Sequence, residues 1–380
     1  MRRIFHNGRM LTDDGIVEGR ALVVDGARIA AIVDASDAPP GERVDLDGGL
    51  LLPGFIDTQV NGGGGALFND EPTPQTIMRI GEAHRRFGTT GFLPTVISDD
   101  LHVLADAVAA TGAAVDAGCP GVLGVHLEGP FIAVERRGVH DKAKVRRLDR
   151  TSLGLLTGLK TGRTVVTLAP ERADRTLIER LVAAGVIVSV GHTDGDYDEI
   201  RTAFAAGATG VTHLFNAMSP LESRQPGAVG AALEDQAVWC GLIVDGRHVH
   251  PAVLRTALRS RPLERFMLVT DAMPTVGGDT DSFTLQGREI RVVDGVCQAP
   301  DGTLAGSHLN MAQAVKNTVE MLGVSLADAV RMASRNPAEF LGLGDELGRI
   351  APGYRASLAL VDDALEVQAT WIDGLGVGES

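Results

Sequence analysis

A chain of 380 residues, 44% hydrophobic and 22% charged, is long enough for a large core and too apolar for wholesale disorder. Its 49 acidic against 35 basic residues give a formal charge of -14, which argues against nucleic acid as a partner and obliges any anionic ligand to find a local cationic pocket. Cys119, Cys240 and Cys297 stand far apart without a disulfide framework, no secretory signal follows Arg2 and Arg3, and no apolar run nears the ~18 residues of a bilayer span, so a cytoplasmic protein without membrane contact is expected.

Residues 1–52 read as short strands and turns: RIFHNGRM, RALVVDGARIAAIV and GGLLLPG are β-prone pieces punctuated by Gly and Asp. Apolar runs then alternate with amphipathic segments of helix length. The strand candidates are FIDTQV (55–60), GFLPTVI (91–97), VLGVHLE (122–128), TVVTLAP (164–170), VIVSVGH (186–192), GVTHLFN (210–216), WCGLIVDG (239–246) and FMLVTDA (266–272). They are apolar almost throughout, as strands covered on both faces should be. PTPQTIMRIGEAHRRFG, DDLHVLADAVAATGAAVDAG, RTLIERLVAAG, DYDEIRTAFAAG and HPAVLRTALRS supply helices between them. Eight such units over this length predict an α/β fold, a (β/α)₈ barrel, with an open doubly wound sheet as the alternative. A β-hairpin excursion is expected at 283–304, followed by helices near 310–322 and 325–335. The tail from residue 346 returns to short strands. The expected organisation is a barrel over 53–345 and one small β-sandwich built from 1–52 and 346–380.

Barrel enzymes place their chemistry at the C-terminal ends of the strands. Glu128 ends the third strand, His192 the fifth, His213 lies near the end of the sixth, and Asp271 ends the eighth. Two imidazoles and a carboxylate are the three-ligand pattern of a catalytic zinc site with one position open to water, whose pKa such an ion lowers to about 7. A further carboxylate, Asp271, suits proton transfer. Singly, each has a plain reading: a hydrogen-bonded core histidine, an ion pair of Glu128 with Arg136 or Arg137, a helix cap by Asp271. Their joint placement at one rim favours the site. The run Gly62–Gly65 after Asn61 lacks nucleotide-loop spacing and reads either as a ligand-approach loop or as a flexible loop over the barrel mouth.

The segments LLPGFIDTQVNGGGG, GVHLEGPFI, GHTDGDYDEI, THLFNAMSPLESRQPGAVG, IVDGRHVHP, LVTDAMP and GTLAGSHLNM, in this order, resemble the amidohydrolase superfamily and, within it, the N-acetylglucosamine-6-phosphate deacetylases. The resemblance implies hydrolysis of the acetamide of a phosphorylated amino sugar. Glu128, His192 and His213 would be the metal ligands, Asp271 the base and later acid, and His140 the group polarising the carbonyl. Val139, Asn216, Ala217, Arg224, His248, Leu304, Ala305 and Gly306 would bind substrate, with Arg224 the phosphate fork. Where many superfamily members carry His-x-His, this chain has Gln59-Val60-Asn61. Amides are poor ligands beside imidazole, so one divalent ion per subunit is expected, zinc, with ferrous iron the alternative, in a homodimer. Two rivals are a cyclic amidase or dipeptidase of the same superfamily, against which the missing His-x-His and the lysine-free fourth strand speak, and a scaffold without chemistry, against which the intact ligand set speaks.

Overall fold

The computed structural model describes residues 1–376. Its centre is an eight-stranded parallel sheet whose strands pair in sequence order: β1 Phe55–Val60, β2 Thr89–Ile97, β3 Gly124–Glu128, β4 Arg163–Leu168, β5 Ile187–Val190, β6 Gly210–Val211, β7 Trp239–Leu242 and β8 Phe266–Leu268. The ring closes through a bridge between Val60 and Ala272 and the bonds Asp271 N–H to Gln59 C=O (3.0 Å) and Asn61 N–H to Ala272 C=O (2.9 Å). The barrel, rather than the open sheet, is therefore the fold. Helices at Pro74–Arg85, Leu101–Asp116, Arg175–Ala183, Tyr197–Ala205 and Pro251–Ser260 fall on the expected segments. Local chemistry starts them: Thr73 caps the first with Pro74 behind it, and Asp196 and Glu199 form a reciprocal capping box on the fourth.

Several strands stop sooner than their apolar runs. β5 ends before His192, β6 has two residues, and β8 ends before Asp271. The cause is backbone conformation: His192, His213, Phe215, Ala217 and Asp271 have φ of 48, 31, 80, 51 and 53°. Left-handed residues cannot continue a ladder, and such conformations concentrate at functional sites. Glu128 alone of the rim group sits inside its strand, where the period of two points it inward with His126.

The barrel interior is layered. At the N-terminal end Ile56, Leu93, Leu123, Val165, Trp239 and Met267 pack against Phe340 and Leu341, which come from a short helix at Arg335–Phe340 and the residue after it. Above lies a hydrogen-bonded belt: Thr95 to His126 Nδ1 (3.2 Å), His126 Nε2 to Thr167 (2.7 Å), Thr167 to Thr212 (2.7 Å) and Thr212 to Ser189 (2.7 Å). Burial pushes the His126 imidazole down to about 4, so it serves as a neutral member of this belt. The rim residues stand on top.

The terminal strands meet as expected. Leu358–Val361 and Val367–Trp371 join Leu50–Pro53, Arg9–Thr12 and Gly15–Val17 in one sheet; Arg2–His6, Arg20–Asp25, Arg28–Asp34 and Glu42–Asp45 form another. Phe5, Leu22, Ile29, Leu51, Leu358 and Trp371 share the core between them. The excursion after β8 is a three-stranded antiparallel sheet, β9 Ser282–Leu285, β10 Arg288–Val293 and β11 Val296–Gln298. Leu285, Ile290 and Cys297 seat it on Leu67, Ile97, Met273 and Ala305 beside the barrel mouth. No helix among the described residues is long and apolar enough to cross a membrane.

Candidate metal centre

The Glu128 carboxylate and two imidazoles meet at the barrel mouth. Glu128 Oε1 lies 3.1 Å from His192 Nε2 and 3.0 Å from His213 Nε2, and the two nitrogens are 3.1 Å apart. All three residues are at most 5% exposed. His192 Nδ1 is 2.8 Å from the carbonyl oxygen of Arg136. A carbonyl only accepts, so Nδ1 carries a proton, and in a neutral ring Nε2 is the nitrogen left to bind an ion. Burial would raise the Glu128 carboxyl, yet the imidazoles against it hold it well below the ordinary carboxylate range, so it is an anion. Lone pairs of an imidazole and a carboxylate crowded to this distance repel each other unless a cation lies among them. Bonds of 2.0–2.2 Å around a tetrahedral ion place its ligands roughly 3.4 Å apart, close to the spacing seen. The donor set therefore fits a divalent ion. His213 Nδ1 is buried without a hydrogen-bond partner among the described residues.

His140 stands beside this triangle, its ring 4.5 Å from that of His192, and Glu128, His140 and His192 also form a looser donor group within 4.8 Å. Its tautomer separates it from the ligands. The Ser98 N–H (3.3 Å) and Oγ–H (2.7 Å) both point to His140 Nδ1, which must then accept, leaving the proton on Nε2. Burial pushes the ring down to about 3, so it stays neutral. His140 is accordingly a neutral N–H donor.

Asp271 lies across from Glu128. Its Oδ1 accepts from Gln59 Nε2 (3.1 Å) and Asn61 Nδ2 (2.6 Å); neither bond uses Oδ2. Burial and the nearby Glu128 charge push this carboxyl up to about 6. Gln59 Nε2 also donates to Glu128 Oε1 at 3.1 Å. Gln59 thus links ligand and acid as a donor and Asn61 adds a second donor to the acid, roles imidazole ligands could not fill while binding an ion.

Glu128, His140, His192, His213 and Asp271 line a cavity of about 330 Å³, together with Arg136, Gly138, Val139, Asn216, Ala217, His248, Met273, Leu304 and Gly306 among others. The chain matches the amidohydrolase family over residues 50–376. It belongs to that family. A relative from Shewanella sp. (strain ANA-3), named N-acetylgalactosamine-6-phosphate deacetylase, is 42% identical over 376 residues, covering 98% of this chain and 95% of its own. One from Haemophilus influenzae, named N-acetylglucosamine-6-phosphate deacetylase, is 34% identical over 378 residues, covering 98% and 99%. The crystal structure of N-acetylglucosamine-6-phosphate deacetylase from Pasteurella multocida superposes with a TM-score of 0.95 at 36% identity, covering 98% of this chain and 99% of that one. The amidohydrolase family is metal-dependent, in keeping with the donor cluster.

Within this amidohydrolase the expected residues do not all converge. Val139, Asn216, Ala217, His248, Leu304 and Gly306 border the cavity, but the Ala305 side chain turns away into the apolar cluster under the β9–β11 sheet. Arg224 is exposed and lines a neighbouring depression of about 490 Å³ that shares only Arg136 with the cavity. Three supports escaped the sequence reading. Ser98 fixes the His140 tautomer. Asp245 Oδ2 accepts from His248 Nδ1 at 2.6 Å, leaving Nε2 free; its spacing three residues before His248 was the available signal.

The third support is Asp57, fully buried at the closure of the barrel. It accepts from Thr270 Oγ1 (2.5 Å), Thr270 N–H (3.3 Å) and Gln59 N–H (3.2 Å), tying β1 to the segment that carries Asp271. Burial pushes this carboxyl up to about 7. A carboxyl raised on folding contributes stability that is complete below its unfolded value of about 3.9 and is lost as pH rises toward the folded value. Asp57→Asn, neutral throughout, escapes that loss. The Tm of the variant minus that of the parent, measured with chelator present, should therefore increase between pH 4.5 and pH 8. A difference flat in pH would contradict the assignment.

Proposed function

We propose that the chain hydrolyses the acetamide of N-acetyl-D-glucosamine 6-phosphate to D-glucosamine 6-phosphate and acetate, in amino-sugar catabolism and cell-wall recycling. The observation that carries this reading is the convergence of Glu128, His192 and His213 within 3.1 Å of one another, with the Asp271 carboxylate tied to Glu128 through Gln59, in a cavity at the barrel mouth. Full-length relatives named as deacetylases support it.

Glu128, His192 and His213 would hold one ion, for which we propose zinc, with ferrous iron the alternative. When bound, such an ion supplies Lewis-acid polarisation and makes water nucleophilic near neutral pH. The protein's own groups do the rest. Asp271, oriented through Oδ1 by Gln59 and Asn61, takes the proton of the attacking water on Oδ2 and returns it to the departing nitrogen. His140 donates Nε2–H to the acetyl oxygen as negative charge builds there. His248, set by Asp245, offers Nε2 to a sugar hydroxyl. Among the described residues bordering the cavity, Arg136 is the one permanently cationic side chain, and Asp194 pairs with it at 2.7 Å. The phosphate then belongs at the seam between the cavity and the depression holding Arg224. We also propose a homodimer, in which the exposed Arg224 is free to act across the subunit contact.

A second reading, the galacto epimer of the same substrate, is favoured by the Shewanella relative. Acetate release from both epimers, with and without chelator, tests the two. Chelator-sensitive release with the higher kcat/KM for the gluco epimer supports the first. A galacto preference of about tenfold or more, equivalent to ~1.4 kcal/mol in the transition state, replaces it with the second. No release from either overturns both.

A further inference from the structure

The β9–β11 sheet arrives late in the chain and supplies no lining residue to the centre, yet the tip of its first hairpin bonds to the segments beside His140. Leu285 and Arg288 are register partners, so Gln286 and Gly287 form a two-residue turn. Their φ values, 49 and 79°, are both positive, the geometry that selects Asn, Asp or Gly at its first position. Glutamine is an unfavourable choice there. What glutamine has over asparagine is one methylene of reach, and the structure uses it.

Both ends of the Gln286 amide are engaged. Oε1 accepts from the Asp141 N–H at 2.7 Å and Nε2 donates to the Ser98 carbonyl at 2.7 Å. Ser98 is the residue whose N–H and Oγ–H hold His140 Nδ1, and Asp141 follows His140 in the chain. One side chain thus grips the two segments on either side of His140, across 188 and 145 positions of sequence. Other ties on this loop include the His140 N–H to Arg137 C=O bond at 3.1 Å, the Lys144 N–H to Asp141 C=O bond at 3.0 Å, the Arg146 N–H to Pro130 C=O bond at 3.0 Å, and the Lys144 ion pairs with Asp99 and Asp100 at 3.3 and 2.5 Å. These tether the loop but do not join the Ser98 backbone to the residue beside His140. An off-preference residue in a turn, with every polar atom of its side chain spent on one catalytic candidate's supports, points to selection for that contact rather than for the turn.

We propose that Gln286 is a positioning residue for the hydrolysis, acting through Ser98 and Asp141 to hold His140 with its Nε2–H directed into the cavity. This rests on the deacetylase reading above. It makes the β9–β11 sheet part of the catalytic apparatus. Misplacement of a reacting group by about 1 Å costs on the order of a hundredfold; loosening one support of a two-sided grip should lower kcat about tenfold, with little effect on KM.

The decisive variant is Gln286→Asn. Asparagine suits the turn better than glutamine, so the hairpin folds, but it is too short to bridge Ser98 and Asp141. A kcat about tenfold below the parent at unchanged KM, with no further fall when Gln286→Asn is added to His140→Asn, supports the proposal through the non-additivity expected of one coupled unit. A variant with parental kcat, a change confined to KM, or losses that multiply in the double variant overturns it. A readout independent of turnover accompanies these: the ¹⁵N spectrum of the His140 ring. The proposal expects the Nε2–H tautomer in the parent and averaging of the two tautomers in Gln286→Asn; identical spectra overturn it. Absence of acetate release from the parent would strike the deacetylase reading, while the ring spectra would still decide the role of Gln286.

Discussion

Asp271→Asn should lower kcat about a thousandfold or more while leaving close to one equivalent of bound metal. The size follows from the part assigned to this carboxylate, which is base and then acid in the same turnover; such proton transfers are worth on the order of 10² to 10⁴ in rate. Asparagine is a clean replacement. Its carbonyl oxygen can take the place of Oδ1 and accept from Gln59 and Asn61 as before, which directs the amide NH₂ toward the position of Oδ2, where it cannot take a proton. Glu128, His192 and His213 are untouched, so occupancy is preserved. The pH profile sharpens the test. Burial and Glu128 push Asp271 up to about 6, and a cation among the neighbouring donors pulls it back. The acid limb of kcat/KM should lie at or below about pH 6 in the parent, with activity rising as the carboxylate ionises, and should vanish from the residual activity of the variant. More than a tenth of parental activity in Asp271→Asn would remove Asp271 from its role.

Glu128→Gln should cost both metal and turnover. Glu128 is the only anion of the triangle, 2% exposed and in contact with both imidazoles and Gln59. Replacing a support outside the ligand set weakens metal binding about 10- to 100-fold in such sites. Loss of the anionic ligand itself should exceed that, and activity should fall in proportion to occupancy. Glutamine has nearly the same shape, so the barrel should fold with a Tm close to that of the metal-free parent. Chelator competition measures the affinity. A variant that binds zinc as tightly as the parent would show that the triangle is a hydrogen-bonded cluster and nothing more.

The two effects differ in kind, and the difference separates the proposed roles. Asp271→Asn keeps the metal and loses the chemistry; Glu128→Gln loses the chemistry because it loses the metal. Had the roles been exchanged, the occupancies would be exchanged too.

Most of this site is legible in the sequence, and the reason is positional. Glu128, His192, His213 and Asp271 each follow an apolar run long enough to be a buried strand, and a parallel barrel brings all such ends to one rim. What the runs could not show was where the ladder stops. GVTHLFN reads as a seven-residue strand, but only Gly210–Val211 pairs, because His213, Phe215 and Ala217 turn left-handed. The same departure aims His213 at Glu128. Supports made between distant segments were illegible for another reason. Ser98, His140 and Gln286 meet across 42 and 188 positions, and nothing in the local pattern of any of them announces the others. Arg224 and Ala305 illustrate the reverse limit: a motif places a residue near a site, while packing decides which way its side chain faces. Ala305 is apolar and finds the cluster beneath the β9–β11 sheet; Arg224 is charged and finds solvent.

One ion, held by a carboxylate and two imidazoles, is proposed to make this barrel a deacetylase. Metal-free protein titrated with zinc, with acetate release followed in parallel, tests it directly. The expected result is a single tight equivalent, with activity rising linearly to its maximum at that point. Full activity in the metal-free protein, or two tight equivalents required before activity appears, would contradict it.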